Sequence, residues 1–173
     1  MILAGFGGQG ILFAGKILAQ AAMLTGKELS WLPSYGPEMR GGTANCHVII
    51  DNEPIGSPII TKPQVLIAMN QPSLDKFEDE VAEGGMIFVD SSLIARKVKR
   101  NDVKAFYVDA THMADVSGKK NLANMIMLGT VLRETELFSL ETIKETIEKS
   151  LPKSKAALAI PNIEAITEGY NYR

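Results

Sequence analysis

The chain has a single cysteine, Cys46, among its 173 residues. A lone thiol excludes an intramolecular disulfide framework. It also excludes a self-contained iron–sulfur cluster or a four-cysteine zinc site, because each needs several thiolates. A surplus of positive charge is missing too: 18 Lys and Arg face 20 Asp and Glu, a formal net charge of −2. General nucleic-acid binders neutralise phosphates with a cationic excess, so nucleic acid is not an expected partner. No run of about 18 apolar residues occurs, and no basic segment precedes an apolar stretch at the amino end. Neither a membrane span nor a secretory leader is expected, and the cytoplasm is the default compartment. Repeats, low-complexity tracts and Ser/Pro linkers are absent, as are a G-x-S-x-G elbow and a Walker sequence, which leaves hydrolase and nucleoside-triphosphatase readings unsupported.

What remains is the composition of a globular protein, with 46% apolar and 22% charged residues. The length suits one domain, since single cores run to about 100–200 residues. A mean hydropathy of +0.05 is slightly high for a soluble monomer and points to some apolar surface covered by a partner.

Short apolar runs predict strands at Met1 to Ala4, Glu28 to Leu32, Thr43 to Asp51, Val65 to Met69, Met86 to Val89 and Ala105 to Val108. The first strand begins almost at the first residue, as in a chain from which a few leading residues are missing. Several of these runs do not alternate, as expected of strands covered on both faces. Helical spacing predicts helices over Ile11 to Thr25, Ser73 to Val81, Asn121 to Glu134, Leu140 to Leu151 and Lys155 to Glu168, with Pro161 breaking or kinking the last. Ser139 is a candidate cap for the fourth helix, whose apolar seam is Leu140, Ile143, Ile147 and Leu151. Met125 to Leu132 is apolar nearly all round, so that helix is expected to be buried on several sides and is a place for a subunit contact. The alternation of strand and helix predicts an α/β fold: a single doubly wound, mostly parallel sheet with helices on both faces, Rossmann-like.

In such sheets ligands bind beyond the carboxyl ends of the strands. Those ends carry Gly5 to Gly10, Ser34 and Tyr35, Asn70 and Gln71, Asp90 to Ser92, and Asp109 to Thr111. Solvated loops are polar for other reasons as well, so the convergence of five such ends carries more weight than any one of them. Gly5-Phe6-Gly7-Gly8-Gln9-Gly10 matches G-x-G-x-x-G between a strand and a helix, where free N–H groups and the helix dipole attract a phosphate or carboxylate. The dinucleotide version also needs an acid at the end of strand two, and that strand runs into Leu32-Pro33-Ser34, with Glu28 at the wrong end. Ordinary NAD or FAD binding is therefore disfavoured against another anion, a partner contact or a structural turn.

The stretch Trp31 to Gly42 is too rich in glycine and proline for a regular element, yet holds Trp31, Tyr35 and Met39. Bulky side chains on a kinked loop suit an interface or a lid. Glu38 and Arg40 can pair with each other, or Arg40 can reach an anion as a fork donor. Cys46 and His47 are neighbours on a strand and face opposite ways, so they form no catalytic pair; Cys46 reads as a small buried hydrophobe. His112 among Asp109, Thr111 and Asp115 matches no strong metal-ligand spacing.

Taken together, these residues resemble a family. The glycine loop followed by Ala14-Gly15-Lys16-Ile17-Leu18-Ala19, then Tyr35-Gly36-Pro37-Glu38-Met39-Arg40-Gly41-Gly42, Ile55-Gly56-Ser57-Pro58, Ala68-Met69-Asn70-Gln71-Pro72 and Asn121 to Gly129 resemble the gamma subunit, or gamma domain, of the 2-oxoacid:ferredoxin oxidoreductases. The likeness covers nearly the whole chain, 1–173, as one gamma-type domain. Within the family, Trp31 to Cys46 looks most like subunits acting on 2-oxoglutarate, with pyruvate, branched-chain 2-oxoacids and indolepyruvate as competitors.

The resemblance implies oxidative decarboxylation of a 2-oxoacid to acyl-coenzyme A, with electrons passed to ferredoxin. It implies alpha and beta partner subunits, with a delta subunit as an optional fourth. Thiamine diphosphate, Mg2+ and iron–sulfur clusters are then carried by the partners, with coenzyme A as co-substrate. This chain by itself would be inactive and hold no catalytic residue, cofactor or metal. Gly5, Gly7, Gly8, Gln9, Gly10, Glu38, Arg40 and Asn70 are the candidates for the coenzyme A side of the active site, and Tyr35, Met39 and Asn124 for subunit contacts. The readings from other classes are a stand-alone nucleotide- or acyl-coenzyme-A-binding domain and a flavin or NAD oxidoreductase.

Overall fold

A computed structural model of the chain describes residues 1–34 and 43–173. The order of elements is β1 (Ile2–Phe6), α1 (Ile11–Leu24), β2 (Glu28–Pro33), β3 (Thr43–Asp51), β4 (Val65–Ala68), α2 (Gln71–Phe77), β5 (Met86–Asp90), β6 (Lys104–Val108), α3 (Ala110–Val116), α4 (Ala123–Thr135), α5 (Leu140–Ser150) and α6 (Ala159–Asn171). Short 3-10 turns follow α2 at Glu78–Glu80 and precede α6 at Lys153–Leu158.

The strands form one sheet in the order β2-β3-β1-β4-β5-β6. The ladders β1–β4, β4–β5 and β5–β6 are parallel, whereas β3 runs antiparallel to both β1 and β2. Every strand but β3 therefore points the same way, which is the mostly parallel sheet that the sequence predicts.

Alternation along the strands feeds two cores. Leu3, Ile67 and Phe88 pack on one face with α1, α3, α4, α5 and α6, and Phe88 stacks on Phe106 with ring centroids 4.7 Å apart. Ile2, Ala4, Leu66, Ala68, Ile87 and Val89 pack on the other face against Leu74 and Phe77 of α2, and against Ile94. The central strands read as unbroken apolar runs because both sides are covered.

Local chemistry explains most element boundaries. Ser139 caps α5 by accepting from the Thr142 N–H at 3.1 Å, and Lys149 pairs with Glu145 on its wet side. Asn70 caps α2, so that helix starts two residues before the expected Ser73, with Pro72 in the first turn where its missing N–H costs nothing. Pro161 does not break the last helix. It sits in the first turn of α6, after the 3-10 turn, and so helps to start the helix it was expected to interrupt. The short helix α3 has no counterpart in the helices that the sequence pattern predicts. Met125 to Leu132 of α4 are all buried, and α3 and α6 of the same chain supply much of the cover.

The pair α4 and α6 meets through glycine. A Cβ at Gly129 would overlap the Ile166 carbonyl oxygen, and one at Gly169 would overlap that of Ile126. Thr130 Oγ1 donates to the Gly169 carbonyl at 2.8 Å across the same contact.

Candidate functional site

The carboxyl ends of β1, β4, β5 and β6 share one edge of the sheet, and each loop there is tied by its own polar residues. At β1, Phe6 ends the strand and Gly10, at φ 74°, turns the chain into α1. No described side chain caps α1, and its first turn carries no acid. The helix therefore presents open N–H groups and the positive end of its dipole.

The motif glycines serve different purposes. A Cβ on Gly5 would lie 2.6 Å from Gln9 Oε1, and one on Gly10 would lie 2.5 Å from Asn124 Nδ2. Gly5 and Gly10 thus make room for side chains of this protein. Gly7 and Gly8 are exposed and have open space where a Cβ would stand, and Gly8 adopts φ +96°. Only these two leave backbone open for an outside group.

Gln9 spends both ends of its amide inside the molecule: Oε1 accepts from the Phe6 N–H at 2.6 Å, and Nε2 donates to the Met69 carbonyl at 3.0 Å. Asn124, near the start of α4, donates through Nδ2 to the Gly10 carbonyl at 3.0 Å. Asn70 Oδ1 accepts from Ser73 N at 2.8 Å. Asn70 and Asn124 are 1% and 5% exposed, yet Asn70 Nδ2 and Asn124 Oδ1 find no partner among the described residues. Phe6, Gly7, Gly8, Gly10, Phe13 and Ala44 line a small cavity of about 260 Å³ against the loop.

At the ends of β5 and β6 the polar residues close on one another. Asp90, fully buried, accepts from Ser92 N at 3.1 Å and from Thr111 Oγ1 at 2.5 Å. Burial pushes its carboxyl above the usual range, opposed by those hydrogen bonds. Ser92 Oγ donates to Asp109 and accepts from His112 N. Among the described residues no group of three or more His, Cys, Asp or Glu is placed to hold a metal ion.

Cys46 lies in the core, its thiol pushed up to about 12 by burial, and a Cβ on Gly15 would stand 2.5 Å from its Sγ. It is a packing residue, unreactive as a thiolate at neutral pH. His47, on the opposite face of β3, accepts through Nδ1 from the Ile60 N–H at 3.1 Å. That tether of the 52–60 segment has no signal in the sequence.

Tyr35, Glu38, Met39 and Arg40, expected at this edge from the sequence, lie outside the described residues. Both flanks of that stretch, Ser34 and Thr43, stand at the same edge: Ser34 N donates to the Asn45 carbonyl and Thr43 pairs with Phe6. A larger cavity of about 780 Å³, lined among others by Ile50, Ile60, Val65, Met86 and Leu137, opens at the opposite edge, away from the glycine loop.

A doubly wound sheet with a glycine loop at its carboxyl edge defines the Rossmann-like α/β class of proteins, which receive ligands at that edge. The chain belongs to the pyruvate ferredoxin/flavodoxin oxidoreductase family, whose model matches residues 1–172. It is 39% identical over 171 residues to the 2-oxoglutarate synthase subunit KorC of Methanocaldococcus jannaschii, covering 97% of this chain and 90% of that one. It is 48% identical over 130 residues to the ketoisovalerate oxidoreductase subunit VorA of Methanothermobacter thermautotrophicus, and the match takes in 75% of this chain but only 27% of that relative. The chain thus spans about a quarter of the length of the VorA proteins it matches.

Among solved structures, a keto/oxoacid ferredoxin oxidoreductase gamma subunit from Geobacter sulfurreducens superposes with a TM-score of 0.80 at 29% identity, over 98% of this chain and 94% of that one. The 2-oxoglutarate:ferredoxin oxidoreductase of Magnetococcus marinus shares the fold, with a TM-score of 0.86 at 23% identity, over 98% of this chain and 30% of its own.

Proposed function

We propose that residues 1–173 act as one gamma-type domain of a 2-oxoacid:ferredoxin oxidoreductase, with 2-oxoglutarate as the oxoacid and acyl-coenzyme A as the product. The observation that carries this reading is the nearly end-to-end match to a 2-oxoglutarate synthase subunit. The higher identity to VorA over three quarters of the chain favours a branched-chain 2-oxoacid as the second reading.

On this reading labour is divided among the subunits. One buried cysteine cannot by itself hold an iron–sulfur cluster, and no group of three or more His, Cys, Asp and Glu among the described residues is placed to hold a metal. Clusters, thiamine diphosphate and its Mg2+ on this reading belong to alpha and beta partners, with delta as an optional addition, and ferredoxin meets the complex through them. Thiamine diphosphate supplies the carbanion chemistry of decarboxylation there. This chain supplies a rigid, anion-competent edge: Gly7, Gly8 and the open start of α1 for a phosphate of coenzyme A, with Asn70 and Asn124 bordering it. No helix among the described residues is long and apolar enough to cross a membrane, and the proposed complex is a cytoplasmic one.

Mild anaerobic affinity purification of the tagged chain from its native cells tests the proposal, with mass spectrometry, iron and thiamine assays, and viologen reduction driven by a panel of 2-oxoacids. The expected result is recovery of thiamine- and iron-bearing partners with activity strongest on 2-oxoglutarate. Activity strongest on a branched-chain oxoacid selects the second reading. Repeated recovery of the chain alone, free of iron and thiamine, rejects both and favours a solitary ligand-binding domain.

A further inference from the structure

We propose that Gln9 is a positioning residue: its side chain staples the glycine loop across the crevice between β1 and β4 and presets the loop for the anionic group it receives. The inference rests on the functional reading above for the identity of that group, coenzyme A, and on the geometry alone for the staple.

The crevice is special in this topology. From β1 the chain leaves through α1 on one face towards β2; from β4 it leaves through α2 on the other face towards β5. Strand order reverses between these two neighbours, and doubly wound sheets open a ligand crevice at that point. Here the crevice is bridged from within. Gln9 Oε1 takes the Phe6 N–H of its own loop, and Nε2 reaches the Met69 carbonyl at the end of the adjacent strand, 60 residues along the chain. Gly5 leaves the space that Gln9 fills, since any Cβ there would press on Oε1. From the α4 side, Asn124 holds the far end of the loop through the Gly10 carbonyl.

Two consequences follow. With its side-chain oxygen and nitrogen both engaged, Gln9 is poorly placed to bind a ligand directly, and it also withdraws the Phe6 N–H from any ligand. What it leaves is a short, exposed, glycine-rich turn fixed at both ends. Glycines lose more conformational entropy on ordering than other residues, and a loop already ordered spares the ligand that cost. A residue acting in this way shifts the affinity for the group at the loop and leaves the chemical step on the partner subunits alone.

The test uses Gln9→Ala and Gln9→Glu in the assembled complex, followed by amide hydrogen exchange of the peptide spanning Phe6 and by steady-state kinetics. Glu keeps an acceptor for Phe6 N–H but loses the donor to Met69 and places a charge beside a carbonyl. In Gln9→Ala the Phe6 amide exchanges faster and KM for coenzyme A rises about tenfold, while kcat and KM for the 2-oxoacid stay within about twofold. Gln9→Glu moves KM in the same direction, and a thermal melt within a few degrees of wild type shows that both variants fold. Unchanged exchange at Phe6, unchanged KM for coenzyme A, or a fall in kcat with KM unmoved overturns the proposal. A wild-type complex that turns over without coenzyme A refutes the functional reading instead, and exchange at Phe6 then decides the staple by itself.

Discussion

The four glycines of the loop look alike as letters and differ in what surrounds them. Gly10 combines φ 74° with Asn124 at van der Waals overlap, so Gly10→Ala adds backbone strain and a clash together. A cost of about 2–3 kcal/mol is expected in urea denaturation. Gly7 has open space and no positive φ, so Gly7→Ala leaves stability within about 0.5 kcal/mol while placing a methyl group on the exposed turn where a ligand would approach. Equal losses from the two substitutions would contradict this division. The G-x-G-x-x-G pattern was legible in the sequence. Which glycines stay open was not, because the neighbour that occupies the Gly10 space comes from 114 residues away.

At the scale of elements, the clearest dependence is the crossing of α4 and α6. Backbone touches backbone there, and a methyl group has no flexible side chain to displace. Gly129→Ala forces the helices apart and loosens Met125, Ile126, Ala165 and Ile166 in the core between them. A loss of about 3 kcal/mol or more is expected, read as a lowered thermal midpoint or insoluble expression. A variant with an unchanged melting temperature would show that the helices can separate cheaply. Elements governed by local chemistry were readable in advance: α5 from Ser139 and its apolar seam, α1 from the spacing of Ile11, Ala14 and Leu18. Pro161 misled because proline has two opposite meanings, breaker in a helix interior and starter in a first turn, and the preceding 3-10 turn decides between them. The short α3 has only seven residues and is held by the Asp90, Ser92, Asp109 and Thr111 network, a tertiary feature.

For the whole molecule, stability against pH carries a mark of His47. Burial is the main cause holding its imidazole below the ordinary range, and neighbouring positive charge, including that of Lys76, acts in the same direction. Its Nδ1 accepts a hydrogen bond from Ile60, which requires the neutral ring. The unfolded chain binds the proton first as pH falls past about 6.5, so in that window the unfolded state holds more protons and stability declines with acid. Wild type should lose stability between pH 7 and 5 by more than His47→Gln does, as seen in denaturation midpoints at each pH. Parallel profiles for the two proteins would remove His47 from the account.

The sequence by itself determined the class of fold, the two-sided burial of its central strands and the place of the glycine loop, since all three rest on periodicity and turn chemistry. Only the tertiary structure decided that β3 runs against its neighbours, that Gln9 and Asn124 are spent on the loop itself, and that Gly129 and Gly169 let two helices touch. Those features depend on which distant residues share a point in space, and spacing along a chain carries no record of that.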